Sequence, residues 1–294
     1  MACRNMALSV LASLLLTGPP ALAFSSPAST DGWIPGVGHA TGSTGTFQTD
    51  LWIFNPSSEN PTDVTLEFHL AEADGTAPAA EVTEVIAPRE TRLFSDFTTT
   101  EMNLSGTVLG NLHYTSDAGN VMVAARIYTA QPSGTFGFFQ AGIPSSEALG
   151  PRSSSDDTVD IWQMYGLTND ASFRTNVDVT NTSPFPVTVI LNVVEPESSL
   201  IINNAGAGQT ATLLPYSNHR FSDVLNASNV GSTYVNAPAL RVTVAVPETE
   251  NPAAGVFAVA SVLDTRTSDG YLFPGERQSA TTQSPMERGV LSRP

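Results

Sequence analysis

The sequence has no lysine and a single cysteine, and both shortages exclude chemistry. All 12 of its basic side chains are arginine, set against 28 Asp and Glu, for a formal net charge of −16 at pH 7. So negative a field repels nucleic acid and anionic membrane surfaces, because phosphate binding needs clustered cations. It favours solubility and suits a medium in which salt or divalent cations screen like charges. The motifs of common enzyme classes are missing too: there is no G-x-S-x-G elbow, no H-E-x-x-H, no phosphate-binding glycine loop and no dinucleotide fingerprint. The four histidines, His39, His69, His113 and His219, are scattered, none at metal-ligand spacing from another. The expectation is a protein that is not an enzyme and carries no cofactor, calcium apart. A hydrolase assembled from dispersed carboxylates and histidine stays open as the catalytic reading, since triads are recognised by geometry.

The N-terminus has the layout of a secretory signal peptide. Arg4 precedes a largely apolar run from Met6 to Leu16, Gly18-Pro19-Pro20 breaks it, and Ala21-Leu22-Ala23 supplies a small-x-small cleavage triplet. The run is too short to cross a bilayer, which takes about 20 apolar residues. Residues 1–23 are therefore expected to be removed, leaving a secreted protein, extracellular or periplasmic, with no membrane insertion. Cys3 leaves with them, and it precedes the apolar run, where a lipid-attachment cysteine would follow it. Zinc–thiolate, iron–sulfur and cysteine-nucleophile chemistry are then excluded, and the fold must stand without disulfides.

What the sequence does contain is a repeat. Phe47-Gln48-Thr49-Asp50-Leu51-Trp52-Ile53-Phe54-Asn55 aligns with Phe173-Arg174-Thr175-Asn176-Val177-Asp178-Val179-Thr180-Asn181. Further blocks follow in the same order: Val64-Thr65-Leu66 with Val187-Thr188-Val189, Pro88 with Pro215, Phe94-Ser95-Asp96 with Phe221-Ser222-Asp223, and Val121 to Thr129 with Val256 to Thr265. Self-similarity of this length marks a duplicated unit, with insertions placed in loops.

Within each copy, short alternating or β-branched runs end at turn residues, which is the strand signal. In the first copy it predicts strands at Asp50–Phe54, Val64–Leu70, Val82–Ile86, Thr91–Phe94, Gly110–Thr115, Val121–Tyr128 and Thr135–Phe139. About seven strands in a unit of this size predict an all-β chain of two tandem immunoglobulin-like antiparallel β-sandwich domains. A small barrel is the alternative closure. The expected boundaries are 31–143 for repeat 1, a polar linker over 144–159, repeat 2 over 160–275 and a disordered tail over 276–294. A single helical turn is expected after Phe94 and Phe221, capped by Ser95 or Asp96 and by Ser222 or Asp223. Trp33 and Trp162 hold matched places before the first strands and are expected to pack at the sandwich ends.

Two groups of residues are candidate sites. Leu51/Val177 and Ile53/Val179 are aliphatic in both copies and face the core, so period-2 alternation turns Trp52 and Phe54 to the other face. The second copy has Asp178 and Thr180 there. An outward aromatic pair suits stacking on a sugar ring or anchoring a partner. In the linker, Asp156, Asp157 and Asp160 are oxygen ligands of the kind that bind calcium at a domain junction. Asn103, Asn181 and Asn226 stand in Asn-x-Ser triplets, glycan acceptors in a host with that machinery.

The block Phe47 to Pro56, Pro88 ahead of a mixed strand, and Arg126-Ile127-Tyr128 followed by Gly134-Thr135-Phe136-Gly137 resemble tandem β-sandwich repeats of uncharacterised secreted bacterial proteins. The resemblance implies an immunoglobulin-like fold and an extracellular setting, and no catalytic residues. The first reading of function is a non-enzymatic surface, structural or adhesion module with a protein or glycan partner at the cell surface. The second is a carbohydrate-binding protein using Trp52 and Phe54.

Overall fold

The computed structural model describes residues 27–42, 45–132, 134–151, 158–168, 172–194, 208–227, 241–247, 249–267 and 270–281, with backbone alone at 158–160, 226–227, 241 and 278–281. The expected signal peptide and Asp156 and Asp157 lie outside them. Of Asp160 the backbone alone is described.

The chain is all-β with antiparallel sheets. Its first half runs β1 (Asp31–Gly42), β2 (Gly45–Phe54), β3 (Thr62–Leu70), β4 (Ala80–Ile86), β5 (Thr91–Phe94), α1 (Phe97–Thr100), β6 (Val108–Ser116), β7 (Met122–Gln131), β8 (Gly134–Ala141) and β9 (Ile143–Pro144). The second half runs β10 (Thr158–Met164), β11 (Phe173–Asn181), β12 (Val187–Val194), β13 (Gln209–Leu213), β14 (Asn218–Phe221), α2 (Val224–Ala227), β15 (Arg241–Ala245), β16 (Val256–Asp264), β17 (Gly270–Pro274) and β18 (Glu276–Thr281).

The two halves repeat one topology. In the first, β4-β3-β6-β1-β9 and β5-β2-β7-β8 are joined through β1, which pairs with β6 along most of its length and with β2 at Ala40–Gly42. In the second, the orders are β13-β12-β15-β10-β18 and β14-β11-β16-β17. Each half has its own core, as a β-sandwich requires. Leu51, Ile53, Leu66, Phe68, Leu112 and Val123 are fully buried in one, and Val177, Val179, Val189, Leu191, Val242 and Val244 in the other. The four aliphatic positions read as core from the repeat are all among them.

Local devices are repeated as well. Buried Asn55 donates from Nδ2 to the Asn60 and Ile86 carbonyls, and its Oδ1 accepts from Ser57 N–H. Asn181 does the same with the Phe185 and Leu214 carbonyls and Ser183 N–H. With its amide spent and its side chain fully buried, Asn181 is no glycan acceptor in the folded chain. The helical turn after each Phe-Ser-Asp forms, but Asp96 does not cap it by side chain. Asp96 and Asp223 instead take left-handed φ of 48° and 50°, and their N–H groups donate to Asp50 and Asn176 at 3.0 Å. The repeated motif is a backbone corner pinned by the preceding strand.

Three expectations change. The strand signal predicts nothing ahead of Asp50 in the first copy, yet β1 spans Asp31–Gly42, with Gly32, Pro35, Gly36, Gly38 and Gly42 inside it. The strand needs glycine: a Cβ on Gly32 would stand 2.3 Å from Tyr114 Oη, and one on Gly38 2.5 Å from the Val108 carbonyl. The stretch expected as a linker is tied down where described, with a 3₁₀ turn at Ser145–Glu147 and Leu149 exchanging hydrogen bonds of 2.9 and 3.0 Å with Val256. The expected tail begins as strand β18, paired with β10 from Thr158↔Thr281 to Gln163↔Glu276. Edge pairing satisfies backbone groups without needing an apolar period, so composition did not reveal it.

The halves meet at a specific joint. Trp33, 2% exposed, joins the core of the second half rather than an end of its own, stacking on His113 at 4.4 Å and lying 6.0 Å from Tyr216. The loop after β3 docks on the turn before β14: Glu72 N–H bonds Asn218 O, Gly75 N–H bonds Pro215 O at 2.8 Å, and Asn111 Nδ2 bonds Tyr216 O. A Cβ at Gly75 would meet Pro215 O at 2.9 Å and Tyr216 Cβ at 3.0 Å. Gly75→Val is therefore expected to cost about 1–3 kcal/mol by overpacking. Hydrogen exchange should speed up at residues 71–76 and 214–218 together; acceleration in one segment alone would refute the docking.

Candidate functional site

The outward face of β5-β2-β7-β8 brings exposed Phe139 together with half-buried Trp52 and Phe54. Register sets Trp52 beside Leu93 on β5 and Ala124 on β7, and Arg126 between Asp50 on β2 and Phe139 on β8. Leu93 and Phe139 are 49% and 50% exposed, while Trp52 and Phe54 are half-buried. The Trp52 and Phe139 rings lie 5.1 Å apart, tilted by 30°, so together they form a shallow aromatic platform. The sequence pointed to Trp52 and Phe54; register adds Leu93, Arg126 and Phe139, which lie on strands whose facing only pairing reveals.

A polar margin borders the platform. The Gln48 amide donates to the Tyr128 hydroxyl, which itself donates to Asp50 Oδ1 at 3.5 Å. The Arg126 guanidinium lies 4.5 Å over the Tyr128 ring and donates to Thr135 Oγ1 at 2.6 Å. Stacking on tyrosine holds the cation flat against the sheet. Apolar rings and directional donors and acceptors thus share one surface.

The same face of the second half is largely covered, with Arg220 on β14 left exposed. Asp178, Arg220, Val259, Ser261 and Leu272 occupy the positions of Trp52, Leu93, Ala124, Arg126 and Phe139. β1 packs on β11 and β16, and β8 on β17. Asp178 is 4% exposed, Val259 1% and Leu272 9%. Thr180 donates to the Pro35 carbonyl. Asp178 tolerates burial because Arg220 grips it twice, at 2.7 and 3.0 Å, and its charge pushes the Arg220 guanidinium pKa further up. A cavity of about 210 Å³ remains at this contact, with Val37, Phe138 and Gln140 on one side and Asp178 and Val259 on the other.

The histidines are less scattered in space than in sequence. The pairings Trp33↔His113 and Glu67↔His113, with His69 two residues beyond Glu67, put His69, His113 and Glu67 on one face of β3-β6-β1. His113 Nδ1 bonds Glu67 Oε2 at 2.7 Å and its Nε2 bonds Asp31 Oδ1 at 3.0 Å. Burial pushes the His113 imidazole down, but the two carboxylates outweigh it and hold it above its usual range. The hydrogen bond from His113 holds Asp31 below the ordinary carboxylate range. Burial pushes His69 down; its Nδ1 bonds the Gly75 carbonyl at 2.9 Å. By contrast, His39 pairs with Asp96 and His219 with Glu72, each away from the group.

No protein-family model and no curated protein matches the chain. Among solved structures, the Pleurotus ostreatus lectin in its apo form aligns at 9% identity over 88% of this chain and 82% of that one, with a TM-score of 0.17. The lectin from Pleurotus ostreatus in complex with GalNAc aligns at 9% identity over 88% and 83%, with a TM-score of 0.11. Scores this low establish no common fold.

Proposed function

We propose that the chain is an exported, non-catalytic adhesion module of two tandem immunoglobulin-like sandwiches, and that the platform of Trp52, Leu93 and Phe139 is its recognition surface for a glycan. One observation carries the reading. Equivalent faces of the two halves have diverged: in one, Asp178, Val259 and Leu272 are buried at the contact with the other half and only Arg220 stays exposed, while its counterpart carries Trp52, Leu93 and Phe139 on an open face. Large apolar side chains are left on an open sheet face at a cost in solubility, so a surface of this kind marks an interaction site. The chemistry favours sugar. A pyranose offers an apolar C–H face that stacks on Trp52 and Phe139, and its hydroxyls find Arg126, Tyr128 and Gln48 at the margin.

A protein partner is the second reading, favoured by the fact that protein fills the same face in the second half. A glycan array followed by calorimetry on the best binder decides between them. Trp52→Ala and Phe139→Ala are expected to weaken glycan binding by roughly tenfold or more each, with unchanged circular dichroism. A blank array, with either variant abolishing adhesion to protease-sensitive cell-surface material, transfers the site to the second reading. Adhesion untouched by both variants would remove the platform from either.

A further inference from the structure

The Glu67, His69 and His113 group is the one cluster of three or more metal-ligating side chains among the described residues, and one donor atom from each lies within 4.8 Å of the other two. Groups that orient both histidine rings are already in place. The His69 ring is 3% exposed and its Nδ1 is committed to the Gly75 carbonyl, while its Nε2 is buried with no hydrogen-bond partner. A carbonyl on one ring nitrogen fixes the tautomer and turns the lone pair of the other nitrogen to a ligand, the usual arrangement of a metal-bound histidine. Asp31 on His113 Nε2 supplies the carboxylate half of a carboxylate–histidine–metal relay, with Nδ1 becoming the ligand atom as the cation displaces the proton now shared with Glu67. A buried imidazole nitrogen without a partner is costly, and a cation shared with His113 and Glu67 removes that cost.

We propose that Glu67, His69 and His113 bind one divalent transition-metal cation of the zinc class, and that this ion locks the joint between the halves. Two imidazoles and one carboxylate suit zinc, cobalt or nickel, whereas calcium and magnesium take oxygen ligands. Three protein ligands leave a further position to water. The locking role follows from what the ligands touch. His69 holds Gly75 O, Gly75 N–H holds Pro215 O, and Trp33 stacks on His113 with Tyr216 alongside. Fixing the two rings fixes the loop and the tryptophan on which the second half rests.

Calorimetric titration of the full secreted chain, stripped with EDTA, with zinc sulfate tests this. One zinc per chain is expected, with calcium chloride giving no comparable heat, and hydrogen exchange at residues 214–218 should slow when zinc is added. His69→Gln, whose amide still reaches the Gly75 carbonyl, is expected to lose the site. Asp31→Asn, which acts through His113, should weaken binding by about 10–100-fold. His39→Gln and His219→Gln serve as controls and should bind as the wild type does. If His113→Gln fails to fold, the absorption spectrum of the cobalt-loaded wild type reports imidazole ligation directly. No zinc binding, stoichiometric binding that survives in folded His69→Gln, or calcium bound as tightly as zinc would each overturn the proposal.

Discussion

Asn55→Ala is expected to destabilise the first half by about 2–4 kcal/mol, and Asn181→Ala to destabilise the second by as much. Each asparagine is almost wholly buried and closes the turn after the first repeat strand by three hydrogen bonds to backbone groups. Alanine cannot replace any of them. It leaves two carbonyls and one N–H without their partner, at about 1–3 kcal/mol for each group that water cannot reach. Asn60 is exposed, so part of that loss is recovered by solvent. Urea unfolding should show a lower midpoint with an unchanged m-value, since the surface exposed on unfolding is the same. The pair of variants also tests the duplication: a loss below about 1 kcal/mol in one half alone would mean that the two turns, though alike in bonding, are not alike in energy.

Trp33→Ala is expected to cost about 3–5 kcal/mol, the usual range for truncating a buried tryptophan. The cost falls on the joint, because Trp33 grows from β1 of the first half and buries its ring in the core of the second. Removing it should uncouple the halves as well as weaken them. In differential scanning calorimetry the wild type should unfold in one coupled transition and the variant in two, resolved by their separate cores. A variant that still unfolds in a single transition would show that the loop around Gly75 carries the coupling without the ring.

Legibility in the sequence tracked the range of the interaction. Leu51, Ile53, Val177 and Val179 were placed in the core by period and repeat alone, and the strand at Thr91–Phe94 was read with its observed ends. Those features depend on neighbours in the chain. β1 was not read, because its glycines serve a close approach to Tyr114 and Val108 that only the folded sheet creates. The sequence predicts Trp33 at a sandwich end and misses its place in the core of the second half for the same reason: Tyr216 and Leu149 in that core come from elsewhere in the chain. The histidine spacing looked uninformative because metal-ligand spacings in sequence presuppose a helix or a tight loop, while here β-register joins residues of different strands. On the aromatic face, Trp52 and Phe54 are visible in the sequence as a departure between copies. Phe139 is not, since its neighbour across the sheet is fixed by how β7 pairs with β8.

The way β1 and β8 lie on the face of β14-β11-β16-β17 also carries an arithmetic. In a row of such units, each covering the face of the one after it, every added unit hides one face, and the leading unit always keeps one bare. Linear arrays normally finish that end with a polar cap so that growth and aggregation stop there. Here the face left bare in the first of the two described units carries Trp52, Leu93 and Phe139 instead, so duplication leaves one uncovered apolar face for each covered one.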